Sequence, residues 1–454
     1  MKTKNKLMFT LILFFGGILL FQSCRKDDET VVNNDSPVVV QQDLAKVNPH
    51  EDNLVVKPWY DLLNDLIKTT PGHTPPIAAR EIAYTSIALY EATTGGVNGY
   101  KSLGNQLQGL GSIPLRTKLL YVGPVAANAA FARIIAKLVG NASATGLASI
   151  SALEAQFDAA FAIKYAAADI ARSQQFGRDI ADIIFAYSQT DGADAAYLDV
   201  FPASYVTPVG PGLWEPTSAQ LIPMLPYWGS IRTFVAANSS PLIDPPPPPT
   251  YDPTVGSPYY NAALNVYTTV NNLTLVQKDI ASFWADGSGT YTAPGHLIAI
   301  TAQICTDRNL YLSKTAFILA KEAITLSDAG VVCWRAQYNN NLLRPVTFIN
   351  SNIDGAWATY IPTPPFPTYT SGHSTFSGGT SAILFKEFGC KPFTDYTKVK
   401  LGFPPRPYSC VKVALQEAAV SRLYAGINYE FDNVNGFNCG IAVANNVTTI
   451  IRWR

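Results

Sequence analysis

The chain is poor in histidine, in charge and in long apolar runs. Its 454 residues hold four histidines and three methionines, and charged residues make up 15%. Lys+Arg and Asp+Glu both number 33, so the formal net charge is zero. Without a basic excess, the electrostatic footprint of a nucleic-acid binder is missing, and no acidic excess invites a cationic partner. Six cysteines occur with no C-x-x-C pair, which removes the usual zinc framework. Alternating apolar strand patterns are almost absent, which argues against a β architecture. No run reaches the length of a membrane-spanning helix.

What is present is apolar and helical. The hydrophobic fraction is 48%, enough for a large core or two packed sub-bundles. From about Val55 to Tyr187 the periodicity is helical. Pro75-Pro76 opens a run to Ala92 in which positions 79, 82, 83, 86 and 90 share one face. Gly95-Gly96 then reads as a stop. Further helices are expected over 118–139 and 149–188. Residues 200–260 change to Gly, Pro, Tyr and Trp, with prolines unbroken from Pro245 to Pro249, and read as a long extended loop that covers a site or braces two bundles. The helical pattern returns from Asn261, with candidates at 273–284, 298–325, 327–338, 374–388 and 415–424. The expected fold is all-α: two packed helical bundles, 55–260 and 261–454, joined by long Pro/Gly-rich loops.

The N-terminus reads as a targeting segment. Lys2, Lys4 and Lys6 precede an apolar run from Met8 to Leu20, the composition of a secretory signal. It ends at Phe21-Gln22-Ser23-Cys24, which resembles a lipoprotein cleavage site with Cys24 lipidated. Residues 1–24 are then the signal and 25–54 a flexible tether. The expected location is the outer membrane or cell surface of a Gram-negative bacterium. In an exported chain the five remaining cysteines can form disulfides, and Cys390 with Cys410, flanking a Pro-rich stretch, is the expected bridge. Cys305 and Cys333 sit in apolar helical contexts and read as buried and inert. Cys439 is left without an assigned partner.

The chemistry concentrates in three late segments. Arg344 and Arg422 each carry a planar, permanently charged fork suited to an oxyanion. Ser371 offers a hydroxyl, and the Gly372 N–H is open to close approach. His373 just precedes an apolar helical run, so Ser371-Gly372-His373 reads as a helix N-terminus, a natural anion seat. His373 is also an acid–base candidate. His296 lines the cavity or caps structure, and His50 and His73 read as tether and turn residues.

The order and spacing of these segments resemble a pattern K-x6-R-P, P-S-G-H, S-R-x5-H-x3-D. Supporting flanks are Cys333-Trp334, Asn341 to Thr347, Ser421 to Tyr429, the Phe283 to His296 segment, Trp214-Glu215-Pro216-Thr217 and the helix after Pro75. Together they are similar to the vanadium-dependent haloperoxidase-related branch of the type 2 phosphatidic acid phosphatase/haloperoxidase superfamily, over roughly residues 55–454. The resemblance implies an oxyanion pocket built from Arg344, Ser371, Gly372, Arg422 and residue 337, with vanadate as cofactor. It also implies an axial histidine, metal ligand or nucleophile, at position 428, oriented by Asp432. Here position 337 is Gln337 and position 428 is Asn428. An amide is neither a nucleophile nor a good metal ligand. Gln337 brings no charge, and Asp432 is expected to lose the partner it would orient. Two functional classes follow. One is a surface lipoprotein that keeps an oxyanion pocket with weakened or lost catalysis. The other is an active haloperoxidase- or acid-phosphatase-like enzyme with a remodelled site. The partners expected are a small oxyanion or small-molecule substrate and, through the lipid, a membrane. No sequence feature specifies an oligomeric state.

Overall fold

The computed structural model describes residues 52–94, 99–115, 121–287 and 289–454. Cys24, His50, most of the 25–54 tether and the Gly95-Gly96 stop lie outside these residues.

Thirteen α-helices run through the described residues. The first five are α1 (Val56–Thr69), α2 (Pro75–Thr94), α3 (Gly123–Leu138), α4 (Ala144–Lys164) and α5 (Ala167–Ser188). Past the proline-rich segment come α6 (Pro258–Asn271), α7 (Leu275–Phe283), α8 (Thr292–Asp307), α9 (Leu312–Asn340) and α10 (Pro345–Asn352). The last three are α11 (Gly372–Phe388), α12 (Val411–Tyr424) and α13 (Glu430–Ile450). Two short strands, β1 (Phe393–Asp395) and β2 (Arg406–Tyr408), pair antiparallel. The all-α expectation holds. No helix among the described residues is long and apolar enough to cross a membrane.

Several boundaries differ from the sequence reading. The expected 149–188 helix breaks at Tyr165-Ala166, where the backbone is extended. The break expected near residue 326 falls instead before Leu312, and α9 runs unbroken for 29 residues. The break falls on a short, partly exposed and mostly polar stretch, Asp307 to Tyr311, which contains neither proline nor glycine. Helix α13 was not expected, since its Asn-rich sequence lacks a clear apolar stripe.

Helix α9 is the central strut, packing on α2, α8, α11 and α13. Along α2 every residue from Pro76 to Thr94 is buried, so its small side chains serve close packing on all sides rather than one face. One apolar core runs from Val55 to Trp453 and spans both halves of the chain. The proline-rich segment braces this core. Asp328 on α9 accepts from Phe234 N, Val235 N and Asn238 Nδ2 at 2.7, 3.0 and 2.8 Å. Met224 lends its carbonyl to Tyr338 Oη.

The crossing of α11 and α13 positions the chemistry. A Cβ on Gly378 would lie 2.0 Å from the Phe437 carbonyl oxygen, and one on Gly440 would lie 2.0 Å from that of Thr375. Only glycine permits this approach. It sets the N-termini of the two helices side by side, Ser371–His373 beside Asn428–Asp432. Ser371 N donates to the Asp432 carbonyl at 3.2 Å.

Cys390 and Cys410 are disulfide-bonded, as expected. Cys305, Cys333 and Cys439 are free and buried.

Glu322 on α9 is fully buried, with Thr380 Oγ1 donating to one carboxyl oxygen at 3.1 Å and no partner on the other. Burial pushes its carboxyl up to about 8. The folded protein therefore holds a proton that the unfolded chain releases near its ordinary value of about 4.3. Stability from this group is full at low pH and falls as pH rises through that window, reaching its minimum above about 8. Glu322→Gln should remove this pH dependence. The variant's melting temperature should match wild type near pH 5 and exceed it near pH 8. An equal difference at both pH values would contradict the buried-proton account.

Candidate oxyanion site

A cavity of about 830 Å³ opens between the α1–α2 turn, the 285–293 segment, the end of α9, the 361–366 loop and the α11 N-terminus. Arg344, Ser371, Gly372, His373, Arg422 and Asn428 all line it. Six of the eight oxyanion and acid–base candidates are thus brought together. Gln337 and Asp432 stand behind the wall.

Arg344 caps α10, with Pro345 at the first helical position. Its Nε donates to the Phe366 carbonyl at 2.8 Å and Nη1 to that of Ile427 at 3.0 Å, while the guanidinium stacks 4.7 Å from the Phe366 ring. Nη2 is buried with no partner. A buried guanidinium nitrogen without an acceptor costs free energy, which an anion at the cavity wall would recover. Arg422, in the last turn of α12, donates from Nη2 to the Trp284 carbonyl at 2.6 Å and from Nε to Ser421 Oγ at 3.0 Å. Burial lowers both arginines to about 10, so both stay charged at neutral pH.

Ser371 is the N-cap of α11 and its hydroxyl accepts from Ser374 N. The helix therefore presents its first amides and dipole to the cavity. A Cβ on Gly372 would meet the Trp334 ring at 3.5 Å. His373 keeps 19% of its side chain exposed, and its Nε2 has no hydrogen-bond partner. Burial and the nearby Arg422 push the imidazole down to about 3, so it is neutral in the physiological range.

Asn428 has been drawn into the wall. Its Nδ2 donates to the Thr368 carbonyl, Thr368 Oγ1 and Asp432 Oδ2, each at 3.1 Å. The expectation that Asp432 loses its partner is corrected here: an amide N–H serves Asp432 as an imidazole N–H would. Asp432 Oδ2 also accepts from Tyr429 N at 2.9 Å, while Oδ1 has no partner. Burial pushes its carboxyl up to about 7, against these hydrogen bonds.

The expectation that Gln337 binds the oxyanion is also corrected. The residue is fully buried, does not line the cavity, and spends its Nε2 on the Thr370 carbonyl at 2.9 Å. A neutral amide finds a backbone acceptor in the core, where a charged side chain would seek an anion.

From the cavity wall inward runs a charged cluster of which the sequence reading singled out only His296. Asp286 lines the cavity and sits at φ 44°, a left-handed conformation rare outside glycine. Its carboxylate accepts from Lys398 Nζ at 2.9 Å and lies 3.2 Å from His296 Nδ1. His296 Nε2 meets Asp395 Oδ2 at 3.0 Å. All four side chains are at most 1% exposed. Burial favours neutral His296, but Asp286 and Asp395 outweigh it and raise the ring to about 9. Burial likewise pushes Asp286 up, while Lys398 and His296 hold it well below the usual carboxylate range. His296 does not line the cavity. In sequence, the signal was a short Asp395-Tyr396-Thr397-Lys398 stretch with nothing to mark it as buried.

His73 lies in the α1–α2 turn, as expected, but is buried rather than at the surface. It is buried at the cavity edge, 2.8 Å from Glu81, with Nε2 2.9 Å from Asn141 Oδ1. The remaining lining mixes apolar groups, with Trp334, Phe366, Phe376, Met224 and prolines 362, 364 and 365, and polar ones, with Lys68 and several threonines.

Residues 317–452 match the family model of the VCPO second helical-bundle domain. A solved bacterial vanadium-dependent iodoperoxidase aligns with TM-score 0.79 and 30% identity, covering 90% of this chain and 98% of that one. A bacterial vanadium-dependent chloroperoxidase aligns in its apo and holo forms with TM-score 0.60 and 14% identity. The apo form covers 82% of this chain and 94% of its own, and the holo form 91% and 95%. Among curated proteins, no sequence matches significantly.

Proposed function

Since the chain belongs to the vanadium-dependent haloperoxidase family, we propose that it retains an oxyanion-binding pocket whose metal-anchoring position has been converted to a structural amide. The observation that carries this reading is a contrast between two buried groups. Arg344 Nη2 has no partner, whereas Asn428 Nδ2 is engaged by Thr368 and Asp432. The donor set of Arg344, Arg422, Ser371 and the α11 N-terminus fits the oxygens of a tetrahedral anion. Vanadate's oxygens fit that cradle, but its metal bond does not fit residue 428, because a carboxamide nitrogen has no free lone pair.

The function is reversible binding of a small tetrahedral oxyanion, with vanadate-dependent halide oxidation lost and phosphoryl transfer weakened or lost. Isothermal titration with sulfate and phosphate tests it: saturable one-site binding is expected, and no heat with either anion would refute it. Export as a lipoprotein through Cys24 belongs to the same reading. The Cys390–Cys410 disulfide supports an oxidising compartment. Cys24→Ser should move the protein from the membrane fraction to the soluble one; unchanged membrane association would refute the lipid anchor.

A further inference from the structure

Asp286 poses a physical problem for an anion pocket. Its carboxylate lies at the cavity wall, 3.7 Å from His373 Nε2, where a bare negative charge would repel the ligand that Arg344 and Arg422 attract. The side chain is 1% exposed, so water cannot screen it. What offsets it lies one layer deeper. Lys398 Nζ donates to Asp286 Oδ1 at 2.9 Å and to the Phe283 carbonyl. The ammonium is held between the Phe283 and Phe403 rings, 5.3 and 4.7 Å from their centroids. His296 adds its own contact to Asp286 and passes its other nitrogen to Asp395.

Charge accounting then explains the design. Asp286 and Asp395 are balanced by Lys398 and His296, leaving Arg344 and Arg422 as the buried cations at the cavity, while Lys68 at its rim is paired with Asp65 at 3.1 Å. Resting on the oxyanion reading above, we infer that Lys398, acting through Asp286, is the cation that sets the pocket's anion affinity, in place of the one absent at Gln337. It is a positioning residue, since it touches Asp286 and does not line the cavity. An Asp–Lys pair of this burial has a bland alternative role, in which it only holds β1 and the 285–291 turn together. The two roles differ in one respect. Lost packing affects all ligands alike, whereas a lost charge affects a dianion more than a monoanion.

The test uses the full chain titrated with sulfate and with perchlorate, tetrahedral anions of charge two and one. Lys398→Met should weaken sulfate binding by roughly tenfold, the Coulomb effect of one unit charge across a low-dielectric site, and perchlorate by about the square root of that factor. Lys398→Met with Asp286→Asn should restore sulfate affinity, because the uncompensated carboxylate is gone. Asp286→Asn alone keeps the cation and should bind sulfate more tightly than wild type, which tests the same charge logic if Lys398→Met does not fold. Equal losses for both anions, no loss at all, or weaker sulfate binding by Asp286→Asn would overturn the role of Lys398. If wild type binds neither anion, the oxyanion reading itself falls.

Discussion

Arg344→Ala should reduce sulfate and phosphate affinity by about a hundredfold, since a charge-assisted hydrogen bond is worth roughly 1.5–3 kcal/mol and one coulombic partner is lost with it. The loss follows from how this guanidinium is mounted. Two of its nitrogens are fixed by the carbonyls of Phe366 and Ile427, the Phe366 ring covers one face, and Nη2 is left over. The backbone thus supplies the orientation and the anion is expected to supply the last acceptor. Arg344→Lys keeps the charge, but a compact ammonium cannot span the separate positions that Nε, Nη1 and Nη2 occupy. It should recover only part of the affinity. Both variants should also melt earlier, because the two buried carbonyls lose their donors. Affinity is therefore compared by titration well below the melting temperature. Wild-type affinity in Arg344→Ala would show that the anion sits elsewhere.

Asn428→His should have the opposite effect on vanadate. The imidazole can place one N–H where Asn428 Nδ2 now meets Asp432 Oδ2 at 3.1 Å, which frees its other nitrogen for the cavity. Asp432 is already pinned for that task by Tyr429 N and Thr368 Oγ1. Orienting partners of a metal ligand alone change metal affinity by about 10–100-fold, so restoring the ligand should raise vanadate affinity by at least that much. Sulfate affinity should change little, because sulfur offers no comparable bond. Gln337→Lys alone should do less. Residue 337 lies behind the wall against the Thr370 carbonyl, and a lysine there would meet that acceptor before any anion. If the two substitutions raised vanadate affinity equally, the present account of position 337 would be wrong.

The contrast between these two positions bears on what the sequence could reveal. Arg344, Ser371, Gly372, His373 and Arg422 were legible because their chemistry is carried by residue type and their spacing by chain geometry. The disulfide was legible for a similar reason, with Cys390 and Cys410 flanking one loop. What the replaced residues do was not legible. Asn428 and Gln337 read as losses, yet each has been absorbed by a specific neighbour, Thr368 with Asp432 for one and Thr370 for the other. Such contacts depend on side-chain direction, which spacing does not encode. Lys398 and Asp395 come from a short two-stranded excursion about a hundred residues from Asp286 and His296. Only the folded chain brings these four charges together. The helix breaks at Tyr165 and before Leu312 carry no proline, and their glycine-free, helix-compatible residues did not mark them.

The most direct test is peroxide-dependent halide oxidation by the wild-type protein, measured with iodide and bromide after incubation with vanadate. The account predicts no turnover above a protein-free vanadate control, while sulfate titration of the same preparation gives one-site binding. Vanadate-dependent oxidation of either halide by the wild type would mean that Asn428 does not prevent metal anchoring, and would contradict the central claim.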